Sequence, residues 1–285
     1  MTSQNDPAAQ RIKIEIAGGA LAGFHWPAPE KPPLLFLHAT GFCASSYRRM
    51  LNGLNGRYDI YALDLRGHGG NTRPADPSRL RSWAPYVDDA RAFLDREGRQ
   101  GWTLAGHSMG AVTSVLAAKG RTDVAALKLI EPVAMPDWFS LAAKTPFWPA
   151  FASAIPLVRQ AARRRNGWPA RKDLFKGWAP GVLEDYLGDG LVEAGGGVRL
   201  ACDPAWEAAT FAAQANDFWP AVQAAPAPIS VFAADHPSST VTAAARARFR
   251  RLRADVMVKP GVSHLAPMEN PAALAGFLAG LPQAS

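Results

Sequence analysis

The chain has 285 residues and a net charge of +7 at pH 7, with 48% hydrophobic and 19% charged residues. The hydrophobic content excludes a disordered chain and allows either one large α/β domain with an insertion or two domains. The positive charge does not indicate nucleic-acid binding, because the one dense basic run, Arg163-Arg164-Arg165, is typical of a solvated helix face.

Neither a membrane segment nor a metal or disulfide framework is indicated. Residues 1–10 are polar and lack the apolar core of a signal peptide, and no stretch is long and apolar enough to span a bilayer. The two cysteines, Cys43 and Cys202, do not have a zinc, redox or disulfide spacing. We therefore expect a cytoplasmic protein with no metal, no membrane association and no nucleic-acid partner.

The predicted elements alternate between strands and helices over most of the chain. Two strands flank Gly18-Gly19 as a hairpin, and the fully apolar run 34–37 is typical of a strand covered on both faces. The predicted strands are residues 11–18, 20–26, 34–37, 58–65, 102–105, 124–130, 229–234 and 255–258, and the predicted helices are residues 45–54, 82–97, 111–118 and 271–281. This alternation predicts a mainly parallel, doubly wound sheet with an antiparallel hairpin at its start.

The alternation stops between Glu131 and Ile229. This stretch is rich in proline and aromatic residues, and it contains six of the nine tryptophans: Trp138, Trp148, Trp168, Trp178, Trp206 and Trp219. A structureless loop of this length is uncommon in a compact domain. We therefore predict a helical cap at residues 133–228, inserted between core segments 1–132 and 229–285. Most cap aromatics should pack within the cap, and a few should face the pocket.

A nucleophile elbow is predicted at Gly106-His107-Ser108-Met109-Gly110. The motif follows an apolar strand and opens a helix of small residues, which is the context that such an elbow requires. Its glycines let the strand and helix backbones pass closely, and the tight turn exposes the serine hydroxyl. The helix N-terminus adds free N–H groups and a positive partial charge. Ser108 is therefore the candidate nucleophile.

A serine hydroxyl needs a base, and His264 is the best placed of six histidines because its loop follows the last predicted strand. A transition-state oxyanion needs two backbone donors. Met109 follows the nucleophile and supplies one, and Thr40, in the loop after the third strand, is the best candidate for the second. Trp138, Phe139 and His107 are the candidate substrate-binding residues.

Four segments together resemble the α/β-hydrolase superfamily: His38-Ala39-Thr40-Gly41, Asp64-Leu65-Arg66-Gly67-His68-Gly69, the elbow and the late His264. The resemblance covers about residues 34–132 and 229–281, and it implies an eight-stranded, mostly parallel sheet with helices on both faces and a helical cap after strand six. Ala39 departs from the family pattern, where His-Gly is usual. In this fold the Asp64 and His68 motif is more often structural than catalytic.

The resemblance leaves two candidates for the acid that orients His264. Asp235 ends the strand where most family members carry their acid, but Ala233 replaces the glycine of the usual Gly-x-x-Asp turn. Glu131 ends the sixth strand, where part of the haloalkane dehalogenases place a glutamate. A carboxylate at the end of an apolar strand is costly unless it is paired, and a histidine that becomes charged would supply the partner. We favour Glu131 over Asp235.

These residues predict a serine hydrolase that cleaves a carboxylic ester, a lactone or a related small apolar acyl compound through an acyl-enzyme, without a cofactor. In the family resembled, dehalogenases and epoxide hydrolases use aspartate, so the serine argues against those activities. Two alternatives stay open: cofactor-free hydrolysis of a carbon–carbon bond by the same triad, and a ligand-binding receptor with a vestigial site.

Overall fold

The computed structural model describes residues 9–54, 56–167 and 178–281. The strands in these ranges are β1 Gln10–Ile16, β2 Gly19–Trp26, β3 Pro33–Leu37, β4 Asp59–Asp64, β5 Trp102–His107, β6 Val124–Ile130, β7 Leu191–Ala194, β8 Gly197–Leu200, β9 Ile229–Ala234 and β10 Asp255–Lys259. The helices are α1 Arg48–Asn52, α2 Ala84–Glu97, α3 Met109–Ala118, α4 Asp137–Ala143, α5 Trp148–Ala152, α6 Pro156–Ala162, α7 Val182–Asp189, α8 Pro204–Ala212, α9 Phe218–Gln223, α10 Ala243–Arg251, α11 Ala266–Glu269 and α12 Pro271–Ala279.

Eight strands form the main sheet, in the order β1-β2-β4-β3-β5-β6-β9-β10. The β1–β2 and β2–β4 pairs are antiparallel, and the other five pairs are parallel. The sequence-based expectation of a mostly parallel eight-stranded sheet that starts with a hairpin is therefore confirmed.

Helices cover both faces of this sheet. In β3, Leu35 and Leu37 belong to one apolar cluster with Phe93 of α2. Leu34 and Phe36 belong to the opposite cluster, which includes Phe277 of α12. Successive side chains of a strand point to opposite faces, so the apolar run of β3 is explained by burial on both sides.

The segment between β6 and β9 contains helices α4 to α9, as expected for a cap, and also a hairpin that the sequence analysis missed. Strands β7 and β8 pair as an antiparallel hairpin, so the cap contains a short two-stranded sheet at residues 191–200 in addition to the predicted helices. The turn residues Gly195 and Gly196 have φ angles of 57° and 81°. Positive φ at both central residues suits a two-residue hairpin turn, and the Gly-Gly pair was the available signal. The predicted cap tryptophan Trp168 lies outside the described residues.

The strand order determines which loops meet. Strands β5, β6, β9 and β10 are consecutive and parallel, so their carboxyl ends lie side by side at one edge of the sheet. Ser108, Glu131 and His264 follow β5, β6 and β10, respectively. Across 9–54, 56–167 and 178–281, we find no helix whose length and apolar content would let it cross a membrane.

Candidate active site

Ser108 lies in a tight turn between β5 and α3. Its φ of 56° and ψ of −115° are strained for a residue with a side chain. The flanking glycines permit the turn: a Cβ on Gly106 would lie 2.4 Å from the Gly110 carbonyl carbon, and one on Gly110 would lie 2.1 Å from the Leu37 carbonyl oxygen. No side chain fits at either position. The Gly-x-Ser-x-Gly spacing therefore reflects the close approach of strand and helix backbones.

Three side chains form a continuous series of hydrogen bonds at the sheet edge. The Nε2 atom of His264 lies 3.1 Å from Ser108 Oγ, and its Nδ1 atom lies 3.0 Å from Glu131 Oε2. With the proton on Nδ1, the ring donates to Glu131 and offers Nε2 as an acceptor for the serine proton. This arrangement can remove a proton from the serine and stabilise the charged imidazole that results.

Glu131 is completely buried, and each of its two carboxylate oxygens has two hydrogen-bond partners. Oε1 accepts from the Ala234 N–H at 2.6 Å and from Ser239 Oγ at 2.8 Å. Oε2 accepts from the Thr240 N–H at 3.0 Å, in addition to His264. A buried charge is tolerated when it is paired and hydrogen-bonded, so these bonds explain how a carboxylate can end an apolar strand.

Asp235, the alternative acid, has different surroundings. Its side chain is 64% exposed and lies 3.5 Å from Arg246 Nη1. Its backbone N–H donates to the Lys259 carbonyl, which continues the pairing of β9 with β10. The structure therefore brings Glu131, and not Asp235, to the Nδ1 side of His264. Asp235 forms a surface ion pair instead.

Both candidate oxyanion donors lie beside Ser108. Met109 is the first residue of α3, where backbone N–H groups have no helical partner. Thr40 Oγ1 lies 3.4 Å from Met109 Sδ, which brings the loop after β3 next to the elbow. The loop is held on both sides of Thr40, because the Ala39 N–H donates to Tyr47 Oη at 3.1 Å and the Gly41 N–H donates to His68 Nε2 at 3.1 Å.

The Asp64 and His68 motif supports this loop. Asp64 accepts from the Ala44 and Gly70 N–H groups at 2.8 and 2.9 Å, and burial raises its pKa to about 6. Burial lowers the pKa of His68 to about 4, so the ring is neutral at pH 7 and accepts from Gly41. These contacts are structural, as the resemblance implied.

His107 has a role that the sequence analysis missed. It lines the cavity, as proposed for substrate binding, but the side chain is fully buried and both ring nitrogens are occupied. Nε2 donates to the His264 carbonyl at 2.9 Å, and Nδ1 accepts from Tyr47 Oη at 2.8 Å. Burial, together with the nearby His264, lowers its pKa well below the usual value. A neutral ring therefore connects Tyr47 to the loop of His264.

A cavity of about 740 Å³ opens in front of Ser108 and His264. Most of its wall is apolar, contributed by the core and the cap alike, including Phe42, Trp83, Val133, Phe139, Leu157 and Phe211. The cap residues Arg164 and Glu207 add a charged pair to the wall, 3.0 Å apart. The volume and the lining are typical of a site for a small, largely apolar molecule.

Of the two cap aromatics assigned to substrate binding, only Phe139 lines this cavity. Trp138 does not line it; it is 61% exposed and packs edge-on against Phe139, with ring centroids 5.5 Å apart. The assignment of Trp138 is therefore wrong. Adjacent residues of α4 point in different directions, and residues 136–139 contain no signal that tells which aromatic side chain faces inward.

The fold and the position of the elbow define the class of protein: an α/β hydrolase with a capped pocket. Residues 34–277 match the model of the alpha/beta hydrolase family, and the chain belongs to that family. It is similar to 2-(acetamidomethylene)succinate hydrolase of Mesorhizobium japonicum, with 27% identity over 241 residues, which are 82% of this chain and 81% of the relative.

Two further proteins are similar to this chain, one over part of its sequence and one in its fold. A (E)-2-((N-methylformamido)methylene)succinate hydrolase of Acinetobacter baylyi is 28% identical over 95 residues, which are 33% of this chain and 35% of the relative. The crystal structure of an E-2-(acetamidomethylene)succinate hydrolase superposes with a TM-score of 0.76 at 21% identity, over 96% of this chain and 99% of that one. At this identity the structural match shows the fold alone.

Proposed function

We propose that this chain is a cofactor-free hydrolase in which Ser108 attacks a carbonyl group of the substrate. The observation that carries the proposal is the series of hydrogen bonds from Ser108 through His264 to Glu131, at 3.1 and 3.0 Å. Each member has the neighbour that its role requires: a hydroxyl next to a base, and a base next to a buried carboxylate.

The reaction starts when His264 Nε2 takes the Ser108 proton and Oγ bonds to the substrate carbonyl carbon. The carbonyl oxygen becomes negative and accepts hydrogen bonds from the Met109 and Thr40 N–H groups. His264 then donates the proton to the leaving group as the bond breaks, which leaves an acyl group on Ser108. A water molecule activated by His264 hydrolyses this acyl-enzyme and restores the serine.

The cavity supports a substrate with a substantial apolar part. Its wall is formed mainly by apolar side chains, whereas the charged groups are confined to the Arg164–Glu207 pair and to the triad side. Burial of apolar surface contributes about 25 cal/mol per Å², so such a wall favours an apolar group over a small charged one.

The names of two relatives concern the kind of bond that the proposed reaction breaks. Both are named as hydrolases of substituted methylenesuccinates and not of simple carboxylic esters. We therefore place the alternative from the sequence, cofactor-free hydrolysis of a carbon–carbon bond by the same triad, ahead of ester or lactone hydrolysis. In the carbon–carbon case, Ser108 attacks a ketone carbonyl, the neighbouring C–C bond breaks, and His264 protonates the carbon that leaves.

A receptor with a vestigial site has less support. Ligand binding alone does not require a serine within hydrogen-bond distance of a histidine whose other nitrogen contacts a fully buried glutamate. It also does not require the strained backbone at Ser108, since strain of this kind is kept where a function needs it.

Labelling with a fluorophosphonate probe tests the proposal. The wild-type chain should become labelled on Ser108, and Ser108→Ala should not be labelled, while Ser153→Ala, a change at an exposed cap serine, should label like the wild type. Product analysis on size-matched esters, lactones, enamides and β-diketones then identifies the bond. An unlabelled wild-type chain, or labelling that survives in Ser108→Ala, would contradict the proposal.

A further inference from the structure

An exposed apolar patch lies on the part of the cap that contains α4, α5 and α6. In the part of the chain that the structure describes, six large apolar side chains are exposed, and five of them fall within residues 138–157. These five residues are called the cap patch: Trp138, Leu141, Phe147, Phe151 and Leu157, with exposed fractions of 53% to 82%. Single exposed apolar side chains are ordinary, whereas a cluster of them marks an interaction site.

Contacts within the cap connect the patch to the substrate cavity. Trp138 and Leu141 are three residues apart on α4 and therefore share a helix face. Trp138 packs against Phe139, whose ring centroid lies 6.4 Å from that of Phe151. Phe139 lines the cavity, and so does Leu157, which is itself a member of the patch. The exposed apolar surface therefore adjoins the apolar wall of the cavity.

The chain around the patch is basic. Residues 137–167 contain five basic residues and one acidic residue, which itself forms an ion pair. Arg159 of α6 lies beside the patch, because its Nε donates to the carbonyl of Ser153, two residues after Phe151. Arg159 and Arg163 are both exposed, and neither is paired with a carboxylate among the described residues. The apolar patch is therefore accompanied by positive charge that is available to a partner.

This charge discriminates between the possible occupants of the patch. A second copy related by a two-fold axis would bring the same basic residues together across the interface, and like charges in such contacts are unfavourable. An anionic lipid surface is complementary instead. Tryptophan and phenylalanine side chains are favourable at the level of the lipid headgroups, and basic residues close to the bilayer are attracted by its negative surface potential.

We propose that the cap patch docks this protein on the surface of an anionic lipid bilayer, with its apolar side chains among the headgroups and Arg159 and Arg163 near the lipid phosphates. Because Leu157 belongs both to the patch and to the cavity wall, docking places the cavity next to an apolar phase that can hold apolar substrates. The sequence-based expectation of no membrane association rested on the lack of a spanning stretch, and a surface contact requires none.

Sedimentation with lipid vesicles tests this inference. The wild-type chain should bind vesicles made of equal parts of phosphatidylglycerol and phosphatidylcholine. The double change Trp138→Ser and Phe147→Ser should lower the partition coefficient about tenfold or more, because two large apolar side chains are lost from the interface. Leu281→Ser, a change at the exposed apolar side chain outside the patch, should bind like the wild type. Absence of binding by the folded wild type, or undiminished binding by the double variant, would overturn the inference.

The role of charge is tested with a second pair of variants. Arg159→Gln with Arg163→Gln should weaken binding to the same vesicles by about fivefold per residue. Lys31→Gln with Arg57→Gln is the matched control, because these exposed residues precede the parallel strands β3 and β4 and lie at the other end of the sheet. Equal losses in the two pairs would contradict docking through the cap.

Analytical ultracentrifugation addresses the competing occupant. The wild-type chain should show no self-association that the changes Trp138→Ser and Phe147→Ser abolish. A dimer that depends on these two side chains, in a protein that does not bind the vesicles, would assign the patch to a second copy and overturn the inference. Vesicle binding does not require turnover, so Ser108→Ala should bind like the wild type, and the result is independent of the proposed function.

Discussion

The Nε2 atom of His107 donates a hydrogen bond to the backbone carbonyl of His264 at 2.9 Å. His107 lies inside the nucleophile elbow, one residue before Ser108, so the turn that presents the serine also holds the loop of the histidine. Through Tyr47, the same ring is connected to the Ala39 N–H in the loop after β3. A single buried imidazole therefore connects three of the loops that form the site: the elbow, the loop of His264 and the loop after β3.

Replacing His107 by phenylalanine should test this connection. An aromatic ring of somewhat larger size replaces the imidazole, and the bonds to Tyr47 and to the His264 carbonyl are lost. We expect the free energy of unfolding to fall by about 1–3 kcal/mol. We also expect kcat to fall by about tenfold to a hundredfold with little change in KM, because His264 loses its support. Urea unfolding and steady-state kinetics measure the two effects. Tyr47→Phe, which keeps the bond to His264, should affect kcat less; equal losses in both variants would mean that the bond between Tyr47 and His107, which both variants lack, and not the bond to the His264 carbonyl, supports the site.

Ser108→Ala should remove turnover and leave the fold intact. The serine is on the turn, and its hydroxyl contacts His264 Nε2, whereas the bond that ties it to the core is made by its backbone N–H to the Ile130 carbonyl and is kept in alanine. Loss of a triad nucleophile costs at least about ten-thousandfold in kcat. The melting temperature should change by no more than a few degrees. Measurable turnover at the wild-type rate, after wild-type contamination has been excluded, would disprove the mechanism.

Glu131→Gln should impair catalysis far more than Asp235→Asn. The glutamine cannot stabilise a charged His264, and the corresponding change in a well-studied serine protease costs about ten-thousandfold in kcat. Asp235 is exposed and forms a surface ion pair with Arg246, so its loss should change kcat by less than about threefold and stability by about 0.5 kcal/mol or less. The reverse pattern would assign the acid to Asp235. The double variant shows whether the two effects add.

The stability of the fold should decrease as the pH falls below neutrality, and His68 should account for part of this. Its pKa is lowered by burial to about 4 in the folded chain, from a usual value of 6.5. As the pH falls, the unfolded state therefore binds this proton at a higher pH than the folded state does. The contribution of neutral His68 to the free energy of unfolding is fully present above about pH 6.5 and is lost towards pH 4. Between pH 7.5 and 5 this amounts to about 2 kcal/mol.

The comparison of wild type with His68→Gln isolates that contribution. Glutamine can still accept from the Gly41 N–H but does not titrate, so the variant should lose about 2 kcal/mol less between pH 7.5 and 5 in urea unfolding. Asp64 acts in the opposite direction, because burial raises its pKa to about 6 and its proton stabilises the folded state below that pH. The two chains share this effect, so it cancels in the difference. An identical pH dependence in both chains would contradict the prediction.

Gly110→Ala should destabilise the elbow. The added Cβ would lie 2.1 Å from the Leu37 carbonyl oxygen, so α3 must move away from β3, at a cost of about 1–3 kcal/mol or more. Gly188→Ala is the matched control, because Gly188 lies in α7 and has no atom within 4 Å of the new methyl group. That change should be neutral or stabilising by up to about 1 kcal/mol. Thermal unfolding of both variants measures the difference.

Much of the fold could be predicted because its signals are local. The apolar run at β3, the alternation of strands with helices and the Gly-x-Ser-x-Gly turn each depend on residues that are neighbours in the chain. The same is true of Gly195-Gly196, whose hairpin signal was present but not used. Residues that had to bury one face, or to adopt positive φ, were therefore recognisable from their sequence spacing.

The remaining features depended on contacts between residues far apart in sequence. Glu131 and Asp235 both end strands, and only the packing of the loop at Ser239 and Thr240 around Glu131 brings one carboxylate, and not the other, to His264. The sequence by itself determined the fold, the candidate nucleophile and its candidate partners. Tertiary structure decided which polar groups meet, because hydrogen-bond geometry between distant segments is not encoded in local spacing.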